Sequence, residues 1–115
     1  MYSEERFCER KRREEILKVF YGDIFIEREE LEAEGIWHPI KLEYYKTVNK
    51  DEEIYGIDVV KTEYIKNKVI KEEKEIEHLS YDETKIDEIL KLLKQYVVTP
   101  ITAQDVVEDL LKREF

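Results

Sequence analysis

Sulfur, glycine and proline are all scarce in this chain: its 115 residues include one Cys, three Gly and two Pro. The single thiol, Cys8, excludes a disulfide within the chain and argues for a reducing compartment. So few glycines and prolines leave little room for long flexible linkers. Gly22, Gly35 and Gly56 stand too far apart to form a phosphate-cradling loop. Long hydrophobic runs are missing too, since nothing approaches the roughly 18 apolar residues that cross a bilayer as a helix. The opening MYSEERFCERKRREE is too charged for a secretory signal. Together these absences predict a cytoplasmic protein that does not enter the membrane.

Positive charge is also in deficit. Lys and Arg number 20 against 29 Asp and Glu, a formal charge of -9 at pH 7. Residues 1–20 are near neutral, whereas residues 72–115 hold twelve acids and six bases. Nucleic-acid binding rests on clustered Lys and Arg, so nucleic acid is disfavoured as a partner. An acidic surface instead suits a basic patch on another protein. The one basic cluster, Arg10 to Arg13, lies among Glu9, Glu14 and Glu15 at spacings that pair the charges along a helix. With 42% apolar and 43% charged residues, the expected core is modest and its shell very charged. Eight Tyr and one Trp add bulky, partly polar packing surface.

Periodicity then divides the chain. Ser3 to Phe20 reads as a helix, capped by Ser3 and followed by strong helix formers. Its apolar residues Phe7, Ile16, Leu17, Val19 and Phe20 gather mostly at the C-terminal end. A strand is expected from Asp23 to about Glu30, then a turn near Gly35, and alternation resumes with Ile40, Leu42 and Tyr44 on one face. EIYGIDVVKTEYI is the strongest strand pattern. Tyr55, Ile57 and Val59 share one face and Val60, Thr62 and Tyr64 the other, a change of phase that suggests a bulge or a strand buried on both faces. Asn67 suits a turn with positive φ, and VIKEEKEIEHL reads as an edge or half-exposed strand guarded by its charges. The period then changes to 3.6. Ser80 and Glu83 suggest a capping box, and Ile86, Ile89, Leu90, Leu93 and Val97 form a helical stripe. Pro100 breaks the chain, and Thr102 is expected to cap the last helix. The fold class predicted is α+β: an N-terminal helix, an antiparallel meander of three to four strands, and two C-terminal helices packed on one sheet face. The domain reading is a helical segment over residues 1–22 and a single domain over 23–115.

Chemistry-bearing constellations are sparse. In the last helix, Asp105, Glu108 and Asp109 fall opposite Val106, Val107, Leu110 and Leu111 on the helical wheel, as charges on a solvated face do. His38 and His78 have no partner at metal-ligand spacing. Cys8 sits among acids and bases that push its reactivity in opposite directions. Ser3 and Ser80 are explained as caps. The sequence therefore predicts no catalytic residue, no metal and no cofactor.

IKLEYYKTV, IYGIDVVKTEY, EIEHLS and IDEILKLLKQYVVTPITAQDVVEDLL together resemble a family of small uncharacterised proteins from clostridia and related Firmicutes. Tyr55, Gly56, Ile57, Lys61 and Glu63 carry one mark of that family. Val98 to Ile101 and Asp105 to Asp109 carry another. The resemblance covers about residues 40–111; it implies a bacterial cytoplasmic protein and lends no functional residues. The expected function is a protein–protein interaction or regulatory module without catalytic activity. It would dock through an exposed strand edge or through Asp105, Glu108 and Asp109. A second expectation is a homodimer through Phe7, Ile16, Leu17 and Phe20 of the N-terminal helix. The third is a small-ligand domain or hydrolase built around His38, Tyr45 or Tyr55.

Overall fold

The computed structural model describes residues 16–27 and 38–113. Four strands form one antiparallel meander: β1 (Ile16–Ile26), β2 (Ile40–Asn49), β3 (Ile54–Ile65) and β4 (Lys68–Ser80), in the spatial order of the chain. Two helices follow, α1 (Glu83–Gln95) and α2 (Pro100–Lys112).

Successive side chains of a strand point to opposite faces. Leu42 and Tyr44 of β2 and Ile57 and Val59 of β3 share the covered face. There they meet Ile86, Ile89, Leu90 and Leu93 of α1, and Ala103 and Val107 of α2, in one buried cluster. The open face carries Lys18, Phe20, Glu43, Tyr45, Asp58, Val60 and Glu73, by alternation and the strand register. No described element lies over it.

The expected N-terminal helix from Ser3 to Phe20 is overturned where the chain is described. Residues Ile16 to Phe20 are strand, paired to β2 from Ile16 opposite Asn49 to Phe20 opposite Tyr45. Ile16, Val19 and Phe20 are β-branched or aromatic and suit a pleated surface. The helix formers that suggested otherwise, and Phe7, lie at residues 3–15, outside the described residues. The strand expected from Asp23 ends at Ile26, and the turn near Gly35 is also outside them.

Turn chemistry shapes the meander. Asn49 Oδ1 accepts from the Asp51 and Glu52 amides at 3.1 and 3.2 Å, closing the β2–β3 turn. Asn67 takes φ 64° in the β3–β4 turn. No bulge falls between Val59 and Val60, where the phase change was expected: the register is unbroken there, and Ile57, Asp58 and Val59 are buried on both faces. The shift against β4 lies instead between Tyr55 and Ile57. Gly56 at this bulge leaves no room for a side chain: a Cβ would meet the Ile76 carbonyl oxygen and come within 2.7 Å of Thr47 Oγ1.

Both helix starts differ from the expected ones. Asp82, not Ser80, caps α1, accepting from the Thr84 amide at 3.0 Å. Ser80 Oγ accepts instead from the Asp82 amide at 3.0 Å. Thr99, not Thr102, is the N-cap of α2, and Pro100 occupies the first helical position, where its missing N–H costs nothing. Val97 leaves the α1 stripe with φ 55°, and Val98 enters the core in its place.

Candidate functional site

The open face is curved, and an ion cluster marks the curvature. Lys18 belongs to β1 and Glu73 to β4, the two outer strands of the sheet. Lys18 registers with Thr47 and Gly56, whereas Glu73 registers with Val60, four residues further along β3. With strands about 4.8 Å apart and residues about 3.4 Å apart along each, a flat sheet would hold the Lys18 and Glu73 Cα atoms roughly 20 Å apart, more than the two side chains can bridge. Lys18 Nζ nevertheless lies 2.8 Å from Glu73 Oε2 and 2.8 Å from Asp58 Oδ2. The outer strands thus exchange charge across a concave face. A shallow cleft of about 280 Å³ opens there, with Glu43, Val60 and Lys71 among its walls.

Asp58 is the unusual member. It is fully buried, and neither carboxylate oxygen receives a well-aligned hydrogen bond. Burial pushes its carboxyl up to about 7, the Glu73 carboxyl adds to the rise, and Lys18 opposes it. Glu73 shifts the other way, held low by Asp58 and then by Lys18. A protonated Asp58 donating to Glu73 would satisfy one orphaned oxygen and leave Lys18 beside a single net negative charge. Sequence reading missed this cluster because Lys18, Asp58 and Glu73 are far apart in the chain and each looks like an ordinary strand charge. The one available signal was an acid inside the most apolar strand.

Aromatic groups line the rest of the face. Phe20 meets Tyr45 edge-on, with centroids 5.6 Å apart and planes at 71°. Phe25 and Tyr64 sit 6.2 Å apart. The Tyr45 hydroxyl donates to Glu43 at 3.3 Å.

The residues proposed for catalysis are not brought together. His38 pairs with Glu63 at 3.1 Å near the start of β2. Tyr45 lies on the open face, and Tyr55 packs against the core on the covered one. Among the described residues no group of three His, Cys, Asp or Glu is placed to hold a metal ion, and no helix is long and apolar enough to cross a membrane.

Asp105, Glu108 and Asp109 are exposed on α2. Two of them are engaged within their own helix: Glu108 accepts from Gln104 at 3.2 Å, and Asp109 pairs with Arg113 at 3.2 Å. Leu17 and Phe20 are exposed on β1 at 42% and 53%.

The two outer strands differ sharply in composition. β4 carries Lys68, Lys71, Glu72, Glu73, Lys74, Glu75 and Glu77 in its 13 residues. Such charges discourage pairing with another strand. β1 has only Lys18 and Asp23 in 11 residues, no proline, and exposed Leu17, Val19, Phe20, Tyr21 and Phe25.

Compared with known proteins, residues 24–113 match the model of a family described as a family of unknown function (DUF6514). No curated protein and no solved structure matches the chain.

Proposed function

The chain belongs to this family of unknown function, and from that premise we propose that it is a protein-interaction module whose docking element is the outer edge of β1. One observation carries the reading: β1 is a long sheet edge almost free of charge, whereas β4 at the other edge is densely charged. An outer strand presents unpaired N–H and C=O groups to any incoming strand, and natural proteins ordinarily blunt such edges. Strand addition draws affinity from main-chain hydrogen bonds and specificity from alternate side chains. Here Leu17 and Val19 would contribute on one side of β1, and Phe20 and Phe25 on the other. The role is binding or regulation rather than catalysis, in a bacterial cytoplasm, as the single cysteine and the clostridial resemblance suggest.

The acidic face of α2 is the weaker candidate, because Glu108 and Asp109 already have partners along the helix. A three-bait pull-down from native extract separates the two surfaces. The baits are wild type, Leu17→Lys/Phe20→Lys and Glu108→Lys/Asp109→Lys. The β1 bait should lose what the wild type captures, its own chain included, and the α2 bait should retain it. Retention by the β1 bait with loss by the α2 bait would overturn the assignment.

A further inference from the structure

We infer that the partner of the β1 edge is a second copy of this chain, joined by antiparallel β1–β1 pairing about a two-fold axis. The inference rests on the interaction reading above and specifies its occupant. A register shift between Phe20 and Gly22 marks a bulge in β1. The bulge changes which residues share a face. Before it, Lys18 lies on the open side and Leu17 and Val19 on the covered side. After it, Asp23 and Phe25 lie on the open side and Ile24 on the covered side.

This change of phase makes the edge complementary to itself. In an antiparallel ladder, directly opposed residues share a face. When Lys18 of one copy stands opposite Asp23 of the other, the flanking pairs from residues 16–19 and 22–25 also match in face, and the bulge residue Tyr21, which has no partner in β2, meets Phe20 at the axis. Leu17 then opposes Ile24, Ile16 opposes Phe25, and Val19 opposes Gly22, each pair occurring twice about the axis. Opposite charges across a ladder stabilise it, and like charges destabilise it. A register centred on Lys18 would instead oppose the two lysines. Asp23 would add a carboxylate on the side of Lys18 away from Asp58 and Glu73. The product is one continuous eight-stranded sheet, with all four helices on one side and the two concave faces adjoining on the other. Isologous two-fold contacts of this kind are the commonest route to a homodimer. The chain's own residues 1–15 are the competing occupant, but ten of those fifteen are charged, a poor match for an apolar edge.

The test is analytical ultracentrifugation of the full chain across a concentration series, with register read by cross-linking in a Cys8→Ser background. Wild type should show a reversible monomer–dimer equilibrium. Asp23→Lys, which opposes lysines at both ends of the ladder, should weaken it roughly tenfold or more. Its melting temperature at low concentration should stay near that of wild type, which shows that the variant folds. Leu17→Cys mixed with Ile24→Cys should form a disulfide-linked dimer on mild oxidation, and neither variant should do so alone. A monomer at every concentration overturns the second-copy assignment but leaves the β1 edge reading standing if the Leu17→Lys/Phe20→Lys bait still loses a captured protein. A dimer indifferent to both Asp23→Lys and Leu17→Lys overturns both readings, because self-association then uses another surface. A dimer that appears only after deletion of residues 2–15 overturns the inference in favour of the chain's own N-terminal segment as occupant.

Discussion

Tyr44 and Tyr45 are neighbours in β2 with the same side chain, and they occupy opposite environments. Tyr44 is fully buried, its hydroxyl donates to the Val98 carbonyl at 2.8 Å, and burial pushes its phenol up to about 12. Tyr45 turns to the open face, leans on Phe20 and donates to Glu43. Val59 and Asp58 repeat the contrast one strand over: the valine joins the core, and the aspartate lies beneath Lys18 and Glu73. Strand alternation thus gives each pair of adjacent residues to two different surfaces. The covered face supplies the cohesion of the fold. The open face supplies polar chemistry and aromatic surface with no described element above it.

The contrast is broken most directly by truncating the covered face. Ile89 is fully buried between α1 and the sheet, so Ile89→Ala should cost about 3 kcal/mol of stability. Chemical denaturation should show a lower midpoint with an unchanged slope. A cost below about 1 kcal/mol would mean that the helices are not the main cover of the sheet.

On the open face, Asp58→Asn sharpens the comparison through pH. The Asp58 carboxyl titrates at about 7 in the fold and at about 4 in an unfolded chain. Between those values the folded chain holds a proton that the unfolded chain has released. This contribution to stability is therefore full below about pH 4 and is lost as pH rises through about 7. Glu73 is shifted downward, so its own contribution is lost at more acidic pH, below the usual carboxylate range. The wild type should lose on the order of 2 kcal/mol between pH 5 and pH 8 that Asp58→Asn does not lose. Thermal melts of the two proteins at both pH values read the difference, and parallel pH profiles would show that Asp58 is not the buried titrating group.

The meander from Ile40 onward and the paired C-terminal helices were legible because each rests on a local pattern. Ile40, Leu42 and Tyr44 alternate, Ile86, Ile89, Leu90 and Leu93 recur at helical spacing, and Asn67 suits its turn. Residues 16–20 misled because ILKVF follows a charged run of strong helix formers, and its strand state depends on pairing with β2 more than twenty residues away. Capping was legible in kind but misplaced in position. Ser80, Asp82, Thr99 and Thr102 are all competent capping residues, and the geometry of the chain selects among them. The Lys18–Asp58–Glu73 cluster was not legible at all, because it depends on sheet curvature that brings the outer strands together. The opposite guarding of the two edges was half legible: the charges of β4 marked it as an edge, whereas β1 was not recognised as a strand over its first half.

Smaller effects test how far each face is closed. Tyr44→Phe removes one buried hydroxyl from the Val98 carbonyl and should cost about 1 kcal/mol. Phe20→Ala should cost less, below about 1 kcal/mol in the monomer, because the ring is exposed and loses chiefly an edge-on contact with Tyr45. The informative quantity is how the Phe20 cost changes with protein concentration. In an isolated chain, the cost of Phe20→Ala is the same at low and high concentration, and the ranking of Ile89 far above Phe20 holds throughout. If the β1 edges pair, Phe20 lies beside the dimer axis, and its truncation becomes more costly as the dimer fills. Binding that favours only the folded state raises the melting temperature with concentration. Melting temperatures of wild type and Phe20→Ala should therefore diverge as concentration rises, whereas those of wild type and Tyr44→Phe keep a constant separation. A Phe20→Ala curve that stays parallel to wild type would place the open face and its aromatic residues outside any self-association.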